Sequence, residues 1–318
     1  MNKVIPTSIF FLLLLFTVSD AKMISRTKVE MGTFITISLE EKNKNFIEEG
    51  FKILHKINLA LSSYDKDGLI YKLNNQKEVD INHYTYEAFL FSKKYYTQTN
   101  GYFDITIGSI TKDLYRFGLD EKVPTKEELQ NAKVEFKSLS FTKNKATLKQ
   151  GIKVDLGGMG KGFGVDKIAL FYKKQNIQKG IISASGDIRC LGICSVDIQD
   201  PYSDGILGSF ITKQKNLSIT TSGNYNRYID SLNHNHLINP KDKESQTKFI
   251  SITLISNLNN SDIDAYATAA SVMPIKKAYL FLDSLELGYV VLQSDGELIV
   301  SDNIDDYTKD LFINYTKK

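Results

Sequence analysis

The glycine-rich stretch KVDLGGMGKGFGVDKIA, residues 153–169, constrains the fold of this chain more than any other segment. Five glycines follow Asp155 and lead into an apolar helical pattern that runs to about Lys174. Glycine permits unusual backbone angles and the close approach of a ligand, and the free N–H groups at a helix start attract anions. The stretch therefore predicts a strand that ends at Asp155, a tight turn, and a helix that begins near Lys161. Anion binding and close packing both remain open as reasons for the glycines.

Two familiar phosphate-binding motifs are excluded by direct comparison. The P-loop requires Ser or Thr after its lysine, but Gly162 follows Lys161. The dinucleotide fingerprint G-x-G-x-x-G, read from Gly158, meets Phe163 where its third glycine belongs. Any phosphate site here must have another design.

Composition narrows the class of protein. The 318 residues are 42% hydrophobic and 24% charged, as in ordinary globular proteins. The net charge of +3 gives no reason to expect a nucleic acid partner. A chain of this length forms one large domain or two moderate ones.

The N-terminus has the pattern of a secretory signal peptide. Lys3 precedes the apolar run Ile9–Phe16, and Ser19-Asp20-Ala21 offers small residues at a cleavage site. The run is much shorter than the ~20 residues that a membrane-spanning helix needs. We therefore predict a signal peptide at 1–21 and a mature domain at 22–318, which places the protein in the periplasm or outside the cell. Retention of the segment as an anchor in the inner membrane remains the alternative.

Cys190 and Cys194 are the only cysteines. In an oxidising compartment they can pair, but in a straight strand they would lie too far apart. A tight turn through residues 191–193 would bring them within reach, so the disulfide stays open.

Periodicity predicts helices and strands that mix without strict βαβ alternation, which favours the α+β class. We expect one compact catalytic unit, with a division into two lobes left open. The predicted strands are 33–39, two or three short ones within 136–154, several within 179–255, 288–292 and 297–301. The predicted helices are 45–61, 84–99, a short one after Pro124-Thr125, the helix up to about Lys174, 262–273, and one that starts at Pro274.

Three further segments carry candidate site residues. Asp264 and Thr268 in DIDAYATA share one helix face and offer hard oxygen ligands suited to Mg²⁺, although capping by acidic residues also explains the segment. His236 in HLINP precedes an X-Pro turn and is either structural or catalytic. The Gly turn in TNGYFDIT, residues 99–106, leads to Asp104 and is either a ligand-facing loop or a helix C-cap.

Together these segments resemble the ApbE-type FAD:protein FMN transferases. The similarity extends in order over almost the whole mature chain. The matching segments are MGT (31–33), LSSYDKDGLIYKLN (61–74), GYFDIT (101–106), KVDLGGMGKGFGVD (153–166), SASGDIRCLG (183–192), TTSGNYNRY (220–228), HLINP (236–240) and DAYATA (264–269).

The resemblance implies a chemistry and a set of site residues. Such enzymes split the pyrophosphate of FAD, release AMP, and join FMN through a phosphoester bond to Thr or Ser of a target flavoprotein, such as a subunit of a membrane redox complex. His236 corresponds to the catalytic histidine, and Lys161 would neutralise developing charge. The implied FAD contacts are Met31, Tyr64, Phe103, Asp104, Ile105, Asp155, Lys161 and Ile238. The implied Mg²⁺ ligands are Gly158 through its main-chain oxygen, Asp264, Thr268 and the backbone oxygen of Ala267.

The chain departs from the family pattern at several positions. Gly68 replaces a serine, Ser185 a glycine, Gly160 an alanine, and Asn239 an aspartate, so any role of that last carboxylate is lost. The sequence leaves two alternatives open: an FAD pyrophosphatase in which water replaces the target hydroxyl, and an FAD-binding protein without chemistry. Contact with a membrane is expected only through the target or an uncleaved signal segment.

Overall fold

The computed structural model describes residues 22–317, so the predicted signal peptide lies outside the described residues. The α-helices are α1 (Asn45–Leu61), α2 (Leu69–Gln76), α3 (His83–Gln98), α4 (Gly108–Thr111), α5 (Lys126–Asn131), α6 (Gly160–Lys174), α7 (Asn260–Ser271) and α8 (Ile275–Asp283). The strands are β1 (Met23–Glu30), β2 (Thr33–Glu40), β3 (Glu78–Asp80), β4 (Leu139–Phe141), β5 (Lys145–Leu148), β6 (Gly180–Ala184), β7 (Asp187–Cys190), β8 (Ser195–Gln199), β9 (Ile206–Thr212), β10 (Leu217–Gly223), β11 (Tyr228–Ile229), β12 (Ser231–Asn235), β13 (Phe249–Ser256), β14 (Gly288–Gln293), β15 (Leu298–Val300) and β16 (Thr308–Ile313).

An eight-stranded antiparallel sheet organises the domain, in the order β1-β2-β6-β7-β10-β13-β14-β15. One face packs against helices: Ile37 of β2 meets Leu54 of α1 and Ile168 of α6 in one buried cluster. The other face of β10, β13 and β14 packs against the three-stranded sheet β16-β9-β8. The mixed α+β class is thereby confirmed. The second sheet does not extend over β1 and β2, whose outer face is exposed.

Helices α6 and α7 touch closely, and the glycines of the opening stretch allow it. A Cβ at Gly162 would lie 2.5 Å from the main-chain oxygen of Asn260. The Asp166 carboxylate of α6 accepts bonds from the N–H groups of Asn260 and Ser261, at 2.8 and 2.9 Å. It also pairs with Arg189 at 2.7 Å. A carboxylate from one helix thus satisfies the free N–H groups at the start of the other, which holds the two helices in register.

Replacing Gly162 with alanine is expected to lower the free energy of unfolding by about 1–3 kcal/mol, because the new methyl group meets backbone that cannot rotate away. The matched control is Gly160→Ala, where a Cβ would lie 3.5 Å from the flexible end of Met31. That variant is expected to keep its stability or gain up to about 1 kcal/mol from helix propensity. Urea unfolding of both proteins measures the difference, and equal effects would contradict this packing role.

Most predicted elements are confirmed, with boundaries shifted by a residue or two. The helix after Thr125 has the complete capping box, since Thr125 and Glu128 each accept the other's N–H. Residues 136–154 contain two strands, β4 and β5. Strands β1, β3 and β16 and helices α2 and α4 were not predicted. Cys190 and Cys194 form a disulfide with a Cα–Cα distance of 6.1 Å.

The prediction that Asp155 ends a strand is wrong. Residues 152–156 belong to no strand. The main-chain N–H and C=O of Val154 bond instead to the side chain of Asn74, at 2.7 and 2.9 Å. The Asp155 N–H donates to the main-chain oxygen of Ile105 at 2.7 Å. The Asn74 amide and the loop at Ile105 therefore make the backbone hydrogen bonds that a neighbouring strand would otherwise make. These bonds hold the glycine turn in place. Within residues 22–317, no helix combines the length and apolar character needed to cross a bilayer.

Candidate active site

A cavity of about 1060 Å³ gathers the segments that carry the candidate site residues, from both halves of the chain. Its volume is slightly above the usual range for small-molecule sites, about 300–1,000 Å³. Twelve of the thirteen predicted site residues line it. They are Met31, Tyr64, Phe103, Asp104, Ile105, Asp155, Gly158, Lys161, His236, Ile238, Asp264 and Thr268.

Ala267 is the exception. It is fully buried inside α7 and does not line the cavity. Its main-chain oxygen accepts a hydrogen bond from the Ser271 hydroxyl at 2.7 Å. Ala267 therefore packs in the apolar core around α7, while Asp264 and Thr268 on the neighbouring face of this helix line the cavity.

Lys161 lies between two buried carboxylates. Its Nζ is 2.7 Å from Asp187 Oδ2 and 3.5 Å from Asp264 Oδ2. Burial opposes the charge of Lys161, but the two carboxylates raise its pKa above the usual range. The group carries one positive and two negative charges when all three are ionised, so one negative charge is left without a partner inside the protein.

The excess negative charge affects Asp264 most. Burial and the neighbouring Asp187 raise the pKa of Asp264 well above its usual range, against the lowering effect of Lys161. The N–H of Gly162 donates to Asp264 Oδ2 at 3.2 Å. The ionised form of Asp187 is better stabilised, because its Oδ1 accepts a hydrogen bond from the Thr220 hydroxyl at 2.5 Å in addition to the Lys161 contact at Oδ2. Asp264 is therefore the carboxylate that would gain most from an additional cation.

Neutral oxygen atoms complete this corner of the cavity. The Thr268 hydroxyl lies 3.3 Å from the main-chain oxygen of Gly158. A Cβ at Gly158 would lie 2.9 Å from Thr268 Cγ2, so glycine is what lets the two oxygens approach. Among residues 22–317, no group of three or more His, Cys, Asp or Glu side chains converges to hold a metal ion. A cation here would be held by two carboxylates at most, together with a hydroxyl and a carbonyl.

Asp155 takes part in a second charged cluster. Its carboxylate accepts a bond from the Thr111 hydroxyl at 2.8 Å and pairs with Lys112 Nζ at 3.1 Å. Its other oxygen accepts the N–H of Gly157 at 3.0 Å. Burial opposes ionisation, but Lys112, Thr111 and the more distant Arg227 outweigh it and lower the pKa of Asp155 to about 2. Asp155 is therefore a permanent anion in the cavity wall.

The ring of Tyr64 forms the adjoining wall. Lys112 Nζ lies 3.7 Å from its centroid, a cation–π contact. Its hydroxyl donates to the main-chain oxygen of Phe117 at 3.0 Å and accepts from Arg227 at 2.6 Å. These contacts hold an aromatic face in one orientation at the edge of the cavity, where it can stack on a planar ligand.

His236 is poised as a neutral base. Its Nδ1 lies 3.0 Å from the main-chain oxygen of Arg227, which can only accept, so Nδ1 carries the proton and Nε2 is left with a lone pair. Burial and the Arg227 guanidinium lower the pKa of His236 to about 4. The imidazole is therefore neutral at physiological pH and can take up a proton.

Other predicted residues mainly shape the cavity. The Asp104 carboxylate accepts bonds from the N–H and hydroxyl of Thr106, at 2.8 and 2.7 Å, and burial raises its pKa. It therefore caps the short helical turn at 105–107. Phe103 and Ile238 are buried in apolar clusters, and Met31 closes the β1–β2 turn with a positive φ of 54°.

Sequence reasoning missed three charged residues of the site. Asp187 and Arg227 lie inside segments that carried the resemblance, but no role was assigned to them. Lys112 gave no signal at all, since an isolated lysine in a sequence is most often a solvated surface residue. Its side chain is only 6% exposed, which marks it as part of the site.

Comparison with known proteins agrees with this geometry. The model of the ApbE family matches residues 31–291. The chain belongs to the ApbE family. Among its relatives, the FAD:protein FMN transferase of Haemophilus influenzae is 26% identical, over 88% of this chain and 89% of the relative. That of Treponema pallidum is 24% identical, over 81% of each chain.

Solved structures of the family show the same fold. The ApbE protein of Thermotoga maritima superposes with a TM-score of 0.83 at 21% identity, covering 91% of this chain and all of that one. The flavin transferase ApbE of Vibrio cholerae gives 0.79 at 22% identity, covering 90% and 99%. The predicted family, the mixed fold and the transferase class are thereby confirmed.

Proposed function

We propose that this ApbE-family protein is a Mg²⁺-dependent FAD:protein FMN transferase. The proposal rests on one observation: Lys161 and a neutral His236 line the same cavity, and Lys161 is paired with two buried carboxylates. Relatives that bear the transferase name over most of their length support the same reaction. The reaction would split FAD, release AMP, and attach FMN to Thr or Ser of a target flavoprotein.

The residues present fit a magnesium ion. Asp264, Thr268 and the main-chain oxygen of Gly158 offer the hard oxygen donors that Mg²⁺ prefers. Their corner carries an unpaired negative charge, which a cation would neutralise. When bound, Mg²⁺ would supply charge neutralisation at the pyrophosphate.

His236 would act on the acceptor hydroxyl. Its Nε2 would take the proton as the hydroxyl oxygen forms a bond to the phosphorus of the FMN half. The bond from that phosphorus to the bridging oxygen would break, and AMP would leave with the electron pair. Lys161 would offset part of the negative charge on the phosphates, since pyrophosphate transfer depends more on charge and positioning than on a strong nucleophile.

One incubation separates transfer from the two alternatives. The protein is mixed with FAD, MgCl₂ and an exported flavoprotein subunit that carries a candidate acceptor threonine. A fluorescent band that survives denaturing electrophoresis, with AMP released, is the expected result. Free FMN and AMP without a band would indicate a pyrophosphatase. Bound FAD that stays intact would indicate a carrier and overturn the proposed function.

Stability should depend on pH through Asp264. Its folded pKa is raised, so in the presence of a chelator the folded state holds an extra proton above about pH 4, and stability should fall as the pH rises through the raised pKa. MgCl₂ should raise the melting temperature more at about pH 8 than at about pH 5, because only the ionised carboxylate binds the cation. An equal shift at both pH values in thermal unfolding would contradict this role.

We also propose that the protein works in the periplasm or outside the cell, where its association with the inner membrane depends on the target or on an uncleaved signal segment. The Cys190–Cys194 disulfide supports an oxidising compartment. Mass spectrometry of the protein purified from the exported fraction is expected to find an N-terminus at Lys22. A chain that still begins at Met1 would indicate a retained anchor.

A further inference from the structure

The tip of the β1–β2 hairpin exposes two apolar side chains. Val29 and Phe34 are cross-strand partners, and they are 65% and 71% exposed. They flank the turn at Met31 and Gly32, and both turn residues line the cavity. Phe34, the most exposed aromatic side chain among residues 22–317, thus directly follows Thr33, which also lines the proposed active site.

The fold does not account for this pair. The two neighbouring cross-strand pairs on the same face are hydroxyl residues, with Ser25 bonded to Ser38 at 2.6 Å and Thr27 to Thr36 at 2.8 Å, and the pair at the far end is Met23 with Glu40. The middle of that face is polar, as a solvated sheet surface should be, and the Val29–Phe34 pair follows it at the tip beside the cavity. Strand β1 is also the edge of the eight-stranded sheet, so the tip is open to an approaching molecule.

Two other exposed apolar side chains are sequence neighbours of residues that line the cavity. Leu119 is 58% exposed and follows Gly118, which lines the cavity. Tyr228 is 46% exposed and follows Arg227, which also lines it. Exposed apolar side chains next to a cavity are typical of a surface that another protein covers.

We propose that the Val29–Phe34 pair docks the target flavoprotein, by packing on apolar side chains beside its acceptor Thr or Ser. The inference rests on the proposed function, because a hydroxyl on a polypeptide can reach the cavity only if the flanking polypeptide covers its rim. An extended segment laid over the hairpin tip would bury Val29 and Phe34 and direct its hydroxyl past the turn toward His236.

A kinetic comparison tests the docking role. The double variant Val29→Ser/Phe34→Ser is compared with wild type and with Phe312→Ser, which removes a 61%-exposed phenylalanine from β16, the strand of its sheet farthest from the cavity strand β8. The acceptor is the exported flavoprotein subunit that wild type labels with covalent flavin. We expect the double variant to raise the KM for this acceptor at least about tenfold, with kcat changed less than about twofold. FAD affinity should not change in any variant.

The outcomes separate the two proposals. An unchanged KM in the double variant, with normal transfer, overturns the docking role alone. Absence of transfer in wild type overturns the proposed function and the docking role together. If Phe312→Ser raises the KM as much as the double variant does, the effect comes from a general loss of surface apolarity, and the docking role is also overturned.

Cross-linking identifies the occupant directly. A photo-reactive phenylalanine analogue is placed at position 34 or 312 of the full-length protein in cells. We expect position 34 to cross-link to a protein that carries covalent flavin, and position 312 to give no such adduct. An adduct at position 34 with a second copy of this chain, with its own residues 1–21, or with lipid would overturn the proposal.

Discussion

Replacing His236 with alanine is expected to lower the rate of FMN transfer by about 10²–10⁴-fold, the usual contribution of a general base. The reason is geometric and electrostatic together. Nδ1 is held by the main-chain oxygen of Arg227, and burial with the Arg227 charge keeps the ring neutral, with its pKa lowered to about 4. Covalent fluorescence on the acceptor, followed over time at saturating FAD, measures the loss.

His234 supplies the matched control. It lies two residues away, and its Nδ1 pairs with Asp230 at 2.7 Å outside the cavity. His234→Ala should keep transfer within about twofold of wild type. FAD should bind both variants with the wild-type dissociation constant, because His236 is expected to act in the chemical step. Full transfer by His236→Ala would falsify the proposed base.

Replacing Asp264 with asparagine is expected to abolish the dependence of transfer on Mg²⁺ and to reduce its rate at least about 100-fold, as loss of several kcal/mol of charge stabilisation implies. The change removes the excess negative charge and leaves Lys161 paired with Asp187 alone. The asparagine side chain nearly matches the aspartate in size, so the buried site should stay filled. Titration of transfer with MgCl₂ measures the effect.

Asp262 gives the control on the same helix. Its carboxylate is buried and pairs with Lys94 at 2.6 Å, but it does not line the cavity. Asp262→Asn should lower the melting temperature without changing the MgCl₂ concentration needed for half-maximal transfer. Thermal unfolding of the Asp264 variant should also lose the stabilisation by MgCl₂ that wild type shows. A wild-type response to MgCl₂ in Asp264→Asn would place the cation elsewhere.

Patterns of neighbouring residues were enough to predict many of the helices and strands. Helical spacing around Phe51 and Leu54, the Thr125–Glu128 capping box, and the strand alternation at 33–39 each depend on neighbours a few residues apart, and the structure confirms them. Strand β1 was not predicted because its residues are nearly all exposed, so its sequence shows no alternation of apolar and polar residues. Asp155 was wrongly placed at a strand end because its backbone bonds to Ile105, and that of Val154 bonds to Asn74, 80 residues away in the sequence.

The amino-acid sequence by itself determined the family, the mixed α+β class and twelve of the residues that line the cavity, because these depend on short motifs whose order along the chain is visible. Only the tertiary structure decided which charges face one another. Lys161 on α6 meets Asp187 of β7 and Asp264 of α7 because Gly162 and Asp166 hold the two helices together. Lys112 enters the site, and His236 loses its charge, through burial among distant residues. Electrostatic energy depends on separation in space and on exclusion of water, and neither can be read from separation along a chain.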